Sequence, residues 1–497
     1  MKEKLPESFN FMQEKKLHNI TVAVMLLGVV LSLIQFLYNR SIWLDEAMLS
    51  LNIVNRSYIE LLHPLDSMQV APIGFLLIEK FFSTLMPNSE YGLRIFPLLC
   101  FWLSIYFFYK IVTQLLKDGK TALLAVSLFC LNASLIYYSS EVKQYMIDVF
   151  ISMLLYYFLL KEYKKNTNQY MLLALFGAIS IFLSNVSVII LFTISAFLII
   201  TQLKNKKINY SYLGALFSTW AVVFSFYYLN FIYNHPSKNT MLAYWGNSFM
   251  PINIFKINFW DFCFYKTKMV FGSLLSFGAL GLLSFLFFII GLYQLIKRKQ
   301  RKLMFFLLLP TLLQLTLSVF KLYPFDLRLI LYQTGFYIII ITIGVKQVLE
   351  LAIFKKQQKL ATCVFLLLPL IIGVEFLRNY PLKTEEIKSS INFIKLHVQP
   401  NDTIYVYYGA IPAFNYYEKI GEIPFKNPIV FGHAYRGSNQ KYIDEIQNNK
   451  GKLWILFSHL YDDESKYIVT SLNSSHKKVL SYKTEGSEVY LYEPLHK

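Results

Sequence analysis

The sequence predicts an α-helical polytopic membrane protein of about 11 transmembrane helices carrying a small C-terminal extracytoplasmic α/β domain. Three observations carry this. The 497 residues are 55% hydrophobic and only 16% charged, too apolar for a soluble domain. Apolar runs of spanning length recur up to about residue 379. After Asn379-Tyr380-Pro381 the runs stop and the composition becomes that of a soluble domain. Residues 1–379 are therefore expected to form the membrane unit, with a first outward loop at 40–91, and residues 380–497 the α/β domain.

The expected spans are 19–39, 92–116, 120–138, 144–160, 168–184, 186–203, 209–233, 268–296, 303–320, 327–349 and 358–377. The net charge of +18 is accounted for by topology. Lysines and arginines gather near Lys15/Lys16, Lys117/Lys120, Lys161/Lys164, Lys204/Lys207, Lys297/Arg301 and Lys346/Lys356, in connections that fall on one side when the spans alternate. That is the positive-inside pattern, with favourable contact to anionic lipid, and it removes the need for a nucleic-acid partner. It sets the N-terminus in the cytoplasm and turns Asp45, residues 137–143, 234–267 and 321–326, and everything after Asn379 outward. The expected location is a bacterial inner (plasma) membrane. The first span lacks a small-residue cleavage site and reads as an uncleaved anchor. Cys100, Cys130 and Cys363 lie in apolar runs and Cys263 near an outer loop, with neither metal spacing nor a disulfide framework.

In the first outward loop, Ala47 to Leu62 and Pro72 to Leu85 carry apolar residues at helical spacing and read as two amphipathic helices on the outer membrane surface, joined by Gln69-Val70-Ala71-Pro72. The aromatic segment 234–267 reads as an interfacial anchor or lid. In the C-terminal domain, Lys383 to Val398, Ile411 to Lys419 and Asp462 to Leu472 read as helices. Thr403 to Tyr408, Lys452 to Phe457 and Val489 to Tyr492 read as strands, giving a three-layer α/β unit without a phosphate loop.

Candidate chemistry gathers on the outer side. Asp45 and Glu46 follow the first span directly, where the plain reading is solvated charge. After the third span come Glu141, Lys143, Tyr145 and Asp148. With a helix start near Ser140, Glu141, Tyr145 and Asp148 share one face, and Asp148 lies roughly 10 Å deeper than Glu141. A carboxyl at that depth normally faces a polar cavity. Arg328 opens a late span and Arg94 an early one, where each can hold a phosphate or snorkel to the headgroups. Carboxylates beside cations at an outer membrane boundary suit transfer from a lipid-linked phosphate donor.

The ordered set of Asp45-Glu46, Pro72-Ile73-Gly74-Phe75, Glu90-x-x-Leu93-Arg94-x-x-Pro97, Glu141-x-Lys143-x-Tyr145 and Arg328 resembles the GT-C membrane glycosyltransferases. The nearest branch is the bacterial glycosyltransferase family 39, related to protein O-mannosyltransferases and the aminoarabinose transferase. The resemblance is strongest over residues 19–160. It implies an inverting, integral-membrane enzyme with a polyprenyl-phosphate sugar as donor and a glycolipid, polysaccharide or protein as extracytoplasmic acceptor. Asp45 matches the family's catalytic base, with Glu46 beside it as the second catalytic acid. Arg328, Lys143 and Arg94 are expected at the donor phosphate, and Glu141, Tyr145, Asp148 and Gln69 in the substrate pocket. Some relatives place a metal-binding glutamate where this chain has Gln69. An amide is a poor ligand for a hard cation, so no tight metal site is expected, and Glu46 and Glu141 are what remains to hold a divalent ion loosely. A lipid-linked saccharide flippase needs a polar pathway through the spans, which are almost free of charge. A surface-polysaccharide polymerase or ligase commonly uses a large late outward loop, whereas the late loop here is only 321–326.

Overall fold

The computed structural model describes residues 7–162, 167–204, 206, 209–275, 280–351, 369, 371, 373–419, 423–438, 440–447 and 451–495. In chain order the helices are α1 (Glu7–Tyr38), α2 (Leu44–Asn55), α3 (Ile73–Leu85), α4 (Glu90–Leu116), α5 (Gly119–Cys130), α6 (Ala133–Tyr138), α7 (Tyr145–Glu162), α8 (Thr167–Leu183), α9 (Ser187–Lys204), α10 (Tyr210–Tyr227), α11 (Lys238–Tyr244), α12 (Ile257–Met269), α13 (Leu280–Lys297), α14 (Arg301–Val319) and α15 (Thr334–Leu349).

Among the described residues, seven helices are long and apolar enough to cross a membrane: Glu14–Tyr38, Glu90–Leu116, Ser187–Lys204, Tyr210–Ile232, Leu280–Lys297, Arg301–Val319 and Arg328–Leu349. The sequence predicts about eleven, and the difference has identifiable sources. The run at 120–138 is divided at Asn132, whose side chain accepts the Leu135 N–H at 3.0 Å and starts a separate helix. The apolar part of α8, Met171–Leu183, is short, and α7 carries Asp148, Lys161 and Glu162. The run at 358–377 lies largely outside the described residues.

The last of these spans is the hub, with 89% of its apolar window buried. Its contact with α13 is set by glycines: a methyl at Gly291 would collide with the Ile340 carbonyl, and one at Gly344 with that of Phe287. Without a hydrophobic drive between helices in lipid, such close backbone approach supplies the dispersion that holds them together.

The C-terminal region contains α16 (Ile387–His397), α17 (Ile411–Lys419), α18 (Gln440–Gln447) and α19 (Glu464–Leu472), with strands β1 (Thr403–Val406), β2 (Ile429–Phe431), β3 (Leu453–Ser458), β4 (His476–Thr484) and β5 (Ser487–Pro494). The order is β2-β1-β3-β5-β4, parallel across β2, β1 and β3 and antiparallel from β3 to β4. Alternation along each strand makes three layers. Ile404, Val406, Trp454 and Leu456 share a core with Ile391 and Phe414 of α16 and α17, continuous with the membrane core. Tyr405, Ile455 and Phe457 face the other way, onto Tyr442 and Ile443 of α18 and Ile468 of α19.

Glu90, at the start of α4, fastens this region to the membrane unit. Buried, it accepts from Asn39 Nδ2 at 2.6 Å, Lys388 Nζ at 2.8 Å and Tyr417 Oη at 2.5 Å. Tyr417 Oη in turn accepts the Ile42 N–H at 2.8 Å. Removing an acceptor costs about 1–3 kcal/mol for a buried donor left without it, and the Tyr417 hydroxyl is such a donor. Glu90→Ala should therefore lower the thermal midpoint in detergent and speed proteolytic release of residues beyond 380; an unchanged midpoint and cleavage rate would contradict this fastening.

Candidate active site

Asp45 and Glu46 are neighbours on the first turn of α2, so helical geometry turns their side chains about 100° apart and gives them different surroundings. Glu46 points inward and is 0% exposed. Arg94 donates to it from Nε at 3.2 Å and from Nη2 at 3.0 and 3.1 Å, Arg40 Nη1 at 2.8 Å, and the Val142 N–H at 2.9 Å. Arg94 also donates to the Arg40 carbonyl at 2.7 Å and to Asn39 Oδ1 at 3.1 Å. With its guanidinium so occupied, the Arg94 expected at the donor phosphate has no donor turned toward one. The loose divalent site expected at Glu46 and Glu141 meets the same obstacle: guanidinium nitrogens stand 2.8 Å from Glu46 and 3.5 Å from Glu141, in the place of a cation.

Asp45 points the other way, toward Arg328. Arg328 Nη1 donates to Asp45 Oδ2, and the two side chains remain 15% and 20% exposed respectively. The Arg328 guanidinium lies 5.0 Å from the Trp245 ring centre and 5.9 Å from that of Tyr145, and Nη2 donates to Tyr244 Oη at 3.3 Å. Cation–π contact of this kind fixes the plane of the guanidinium without occupying its N–H groups. Burial works against charge on Asp45, yet Lys143 and Arg328 outweigh it and hold the carboxyl below its ordinary range. Lys143 is buried and donates to Gln69 Oε1 at 2.7 Å, while Gln69 Nε2 is engaged by the Ser67 carbonyl at 3.3 Å. Gln69 thus orients the lysine. Burial pulls the Lys143 ammonium below the usual lysine value, against the field of Asp45.

Glu141 lies in this layer but not on a helix, contrary to the face expected for Glu141, Tyr145 and Asp148. The helix begins at Tyr145. The segment before it is drawn out of helical geometry because its backbone serves the ion cluster, Val142 N–H to Glu46 and the Ser140 carbonyl to Arg40 Nη2 at 3.4 Å. Both Glu141 carboxylate oxygens are buried without a hydrogen bond among the described residues. Burial and the neighbouring Glu46 outweigh Arg40 and push its pKa up to about 7. Asp148 is not part of the cluster; it is buried and accepts from Ser184 Oγ at 2.6 Å, tying α7 to the segment between α8 and α9.

Several contributors escape the sequence reading. Tyr244 and Trp245 are held over Arg328 by a latch between the segment 234–267 and the loop 321–326. Lys266 Nζ donates to Asp326 Oδ2 at 2.8 Å, Ser248 Oγ donates to the same oxygen at 2.7 Å, and the Phe325 N–H donates to the Ser248 carbonyl at 2.8 Å. His459, from the loop after β3, packs its ring 6.1 Å from that of Trp43 and is joined at 2.7 Å to Glu385, whose hydrogen bond raises the imidazole above its ordinary value against burial. Glu79 of α3 is buried with both oxygens lacking a partner among the described residues. Heptad-like spacing hides Glu79 inside an amphipathic stretch, the aromatic segment 234–267 marks Tyr244 and Trp245 only as an interfacial anchor or lid, and nothing local in the sequence marks Ser248, Lys266, Glu385 or His459.

A carboxyl that favours its neutral form when folded binds more protons folded than unfolded between 4.5 and about 7. Its contribution to stability is then greatest below the unfolded value, declines through that window and levels off above it. Glu141→Gln fixes the neutral form, so its thermal midpoint relative to the parent protein should rise between about pH 5 and about pH 8. A midpoint difference that stays flat over that range would contradict the buried placement of this acid.

The family described as dolichyl-phosphate-mannose-protein mannosyltransferase matches residues 69–228, the stretch that supplies Gln69, Arg94, Glu141, Lys143 and Tyr145. The fold is similar to that of ArnT from Cupriavidus metallidurans in two crystal structures. With undecaprenyl phosphate bound, that protein is 12% identical with a TM-score of 0.52, over 95% of this chain and 97% of its own. In the apo state it is 10% identical with a TM-score of 0.52, over 94% and 97%. No curated protein matches by sequence. The family match over residues 69–228, the shared fold and the seven apolar helices make this chain a multi-pass membrane glycosyltransferase with a GT-C-like fold.

Proposed function

We propose that this glycosyltransferase moves a sugar from a polyprenyl-phosphate donor to a hydroxyl of an extracytoplasmic acceptor, with inversion at C1, and that its N-terminus is cytoplasmic. The observation that carries the reading is the Asp45–Arg328 pair, a carboxylate held ionised against a guanidinium whose plane is fixed by aromatic rings. The undecaprenyl phosphate bound by the structurally similar ArnT supports the lipid carrier, and the basic clusters in alternate connections support the orientation.

In this reading Arg328 exchanges Asp45 for the donor phosphate, to which its planar N–H groups and the buried Lys143 are suited. Release leaves Asp45 ionised and unpaired as general base. It takes the proton of the acceptor hydroxyl while that oxygen attacks C1 from the face opposite the phosphate. The bond from C1 to the phosphate oxygen breaks, its electrons pass to the leaving polyprenyl phosphate, and the cations stabilise the added charge where it develops. Glu46, Arg40 and Arg94 act beneath this layer by fixing the direction of α2. Tyr145 and Glu141 line the donor side.

Two substitutions on adjacent residues separate these roles. Asp45→Asn should lower transfer of label from a polyprenyl-phosphate sugar by about 10²–10⁴-fold while the thermal midpoint stays near that of the parent. Glu46→Gln leaves buried guanidinium groups without their counter-charge and should cost about 3–5 kcal/mol of stability, read as loss of folded protein. Transfer retained by Asp45→Asn, or a Glu46→Gln protein as stable as its parent, would overturn the corresponding assignment. Because the Asp45 carboxyl of the free enzyme sits below its usual value while paired with Arg328, kcat/KM, which reports the free enzyme, should not fall through loss of base until the pH drops below the ordinary carboxylate range. A base-limited fall near neutrality in a pH–rate profile would point to a different residue.

A further inference from the structure

The C-terminal sheet contains a topological switch point. The chain leaves β1 for β2 on one side and returns, after β2, to β3 on the other. Loops at the carboxyl ends of strands that flank such a point are where ligands bind in open sheets with parallel strands. Here they are residues 407–409 after β1 and 459–461 after β3. A methyl at Gly409 would stand 2.6 Å from the His459 carbonyl oxygen and 2.8 Å from that of Ser458, so glycine is what lets the two loops approach.

A third loop, after β2, brings Arg436 to the same place. Its guanidinium lies 4.3 Å from the Tyr461 ring centre and 5.8 Å from that of Tyr408, with Nε donating to Tyr408 Oη at 3.3 Å. Arg436 and Tyr461 are exposed, and Arg436 makes no ion pair among the described residues. Tyr408 is itself supported by Tyr442, stacked at 6.3 Å. An exposed guanidinium beside an exposed ring suits a saccharide that carries an acidic group: an aromatic face takes sugar C–H surfaces and the planar donors take phosphate or carboxylate oxygens. These loops also adjoin the membrane site, because the His459 ring packs on Trp43, two residues before Asp45.

We infer that this cluster of switch-point loops is the acceptor subsite and that it takes an anionic saccharide, with the acidic group on Arg436 and the sugar ring on Tyr461. The name acceptor rests on the glycosyl-transfer reading; binding of the saccharide does not. The test is saturation-transfer NMR on the full chain in lipid nanodiscs with glucose 6-phosphate, glucuronate and methyl glucoside, and with inorganic phosphate as competitor. Both acidic sugars should show transfer well above methyl glucoside, and Arg436→Gln and Tyr461→Ala should each weaken their binding by about tenfold, one bidentate or stacking contact. Asp45→Asn should bind them as the parent does. Displacement of both by inorganic phosphate would support one shared anion site at Arg436, and displacement of glucose 6-phosphate alone would show that glucuronate binds elsewhere and overturn the shared site. Equal signals from all three sugars, absence of signal from the acidic ones, or binding unchanged in folded Arg436→Gln and Tyr461→Ala would overturn the inference. Saccharide binding that persists when Asp45→Asn also retains transfer would fault the catalytic reading and leave the subsite standing.

Discussion

The fully buried carboxylate of Glu46 is the interaction on which the rest of this structure depends. An isolated charge in such a place is prohibitively costly, and the chain meets the demand with Arg40 from the end of the first span, Arg94 from α4 and the N–H of Val142 from the segment before α7. Three pieces far apart in sequence are thereby fixed to the first turn of α2. Their convergence decides which way Asp45 points.

The neighbouring layers extend the same logic outward. Lys143 is in reach of Asp45's field because Val142 is tied to Glu46 and because Gln69 accepts from its ammonium. Arg328 faces Asp45 because it opens the most buried span, and its plane is set by Tyr145, Tyr244 and Trp245, the last two held by the Lys266–Asp326 latch. The C-terminal region joins through Glu90 and Tyr417, and its apolar core continues into that of the membrane helices. His459 consequently reaches the rim of the site.

Much of this was legible in the residues. Apolar runs announce spans because a bilayer imposes both length and composition, and β1 and β3 read as strands because their side chains are buried on both faces. The outward clusters of Asp45, Lys143 and Arg328 stand out because charge is scarce around them. What stayed hidden depends on three-dimensional partners. Nothing local distinguishes Asp45 from Glu46, since only the positions of Arg40 and Arg94 make one carboxylate internal and the other available. Glu141 looked helical because spacing cannot reveal that Val142 is drawn toward a distant carboxylate. The short β2 and the exposed face of β4 carry too little apolar signal to be read as strands, and Arg436 acquires meaning only when three loops meet.

The central claim is that one guanidinium alternates between Asp45 and the phosphate of the donor, and a structure of the full chain in complex with a polyprenyl phosphate tests it most directly. The account predicts phosphate oxygens within hydrogen-bond reach of Arg328 and Lys143, with the Asp45 carboxylate released and facing the position of C1. A phosphate bound away from Arg328, with the Asp45–Arg328 pair intact, would contradict it.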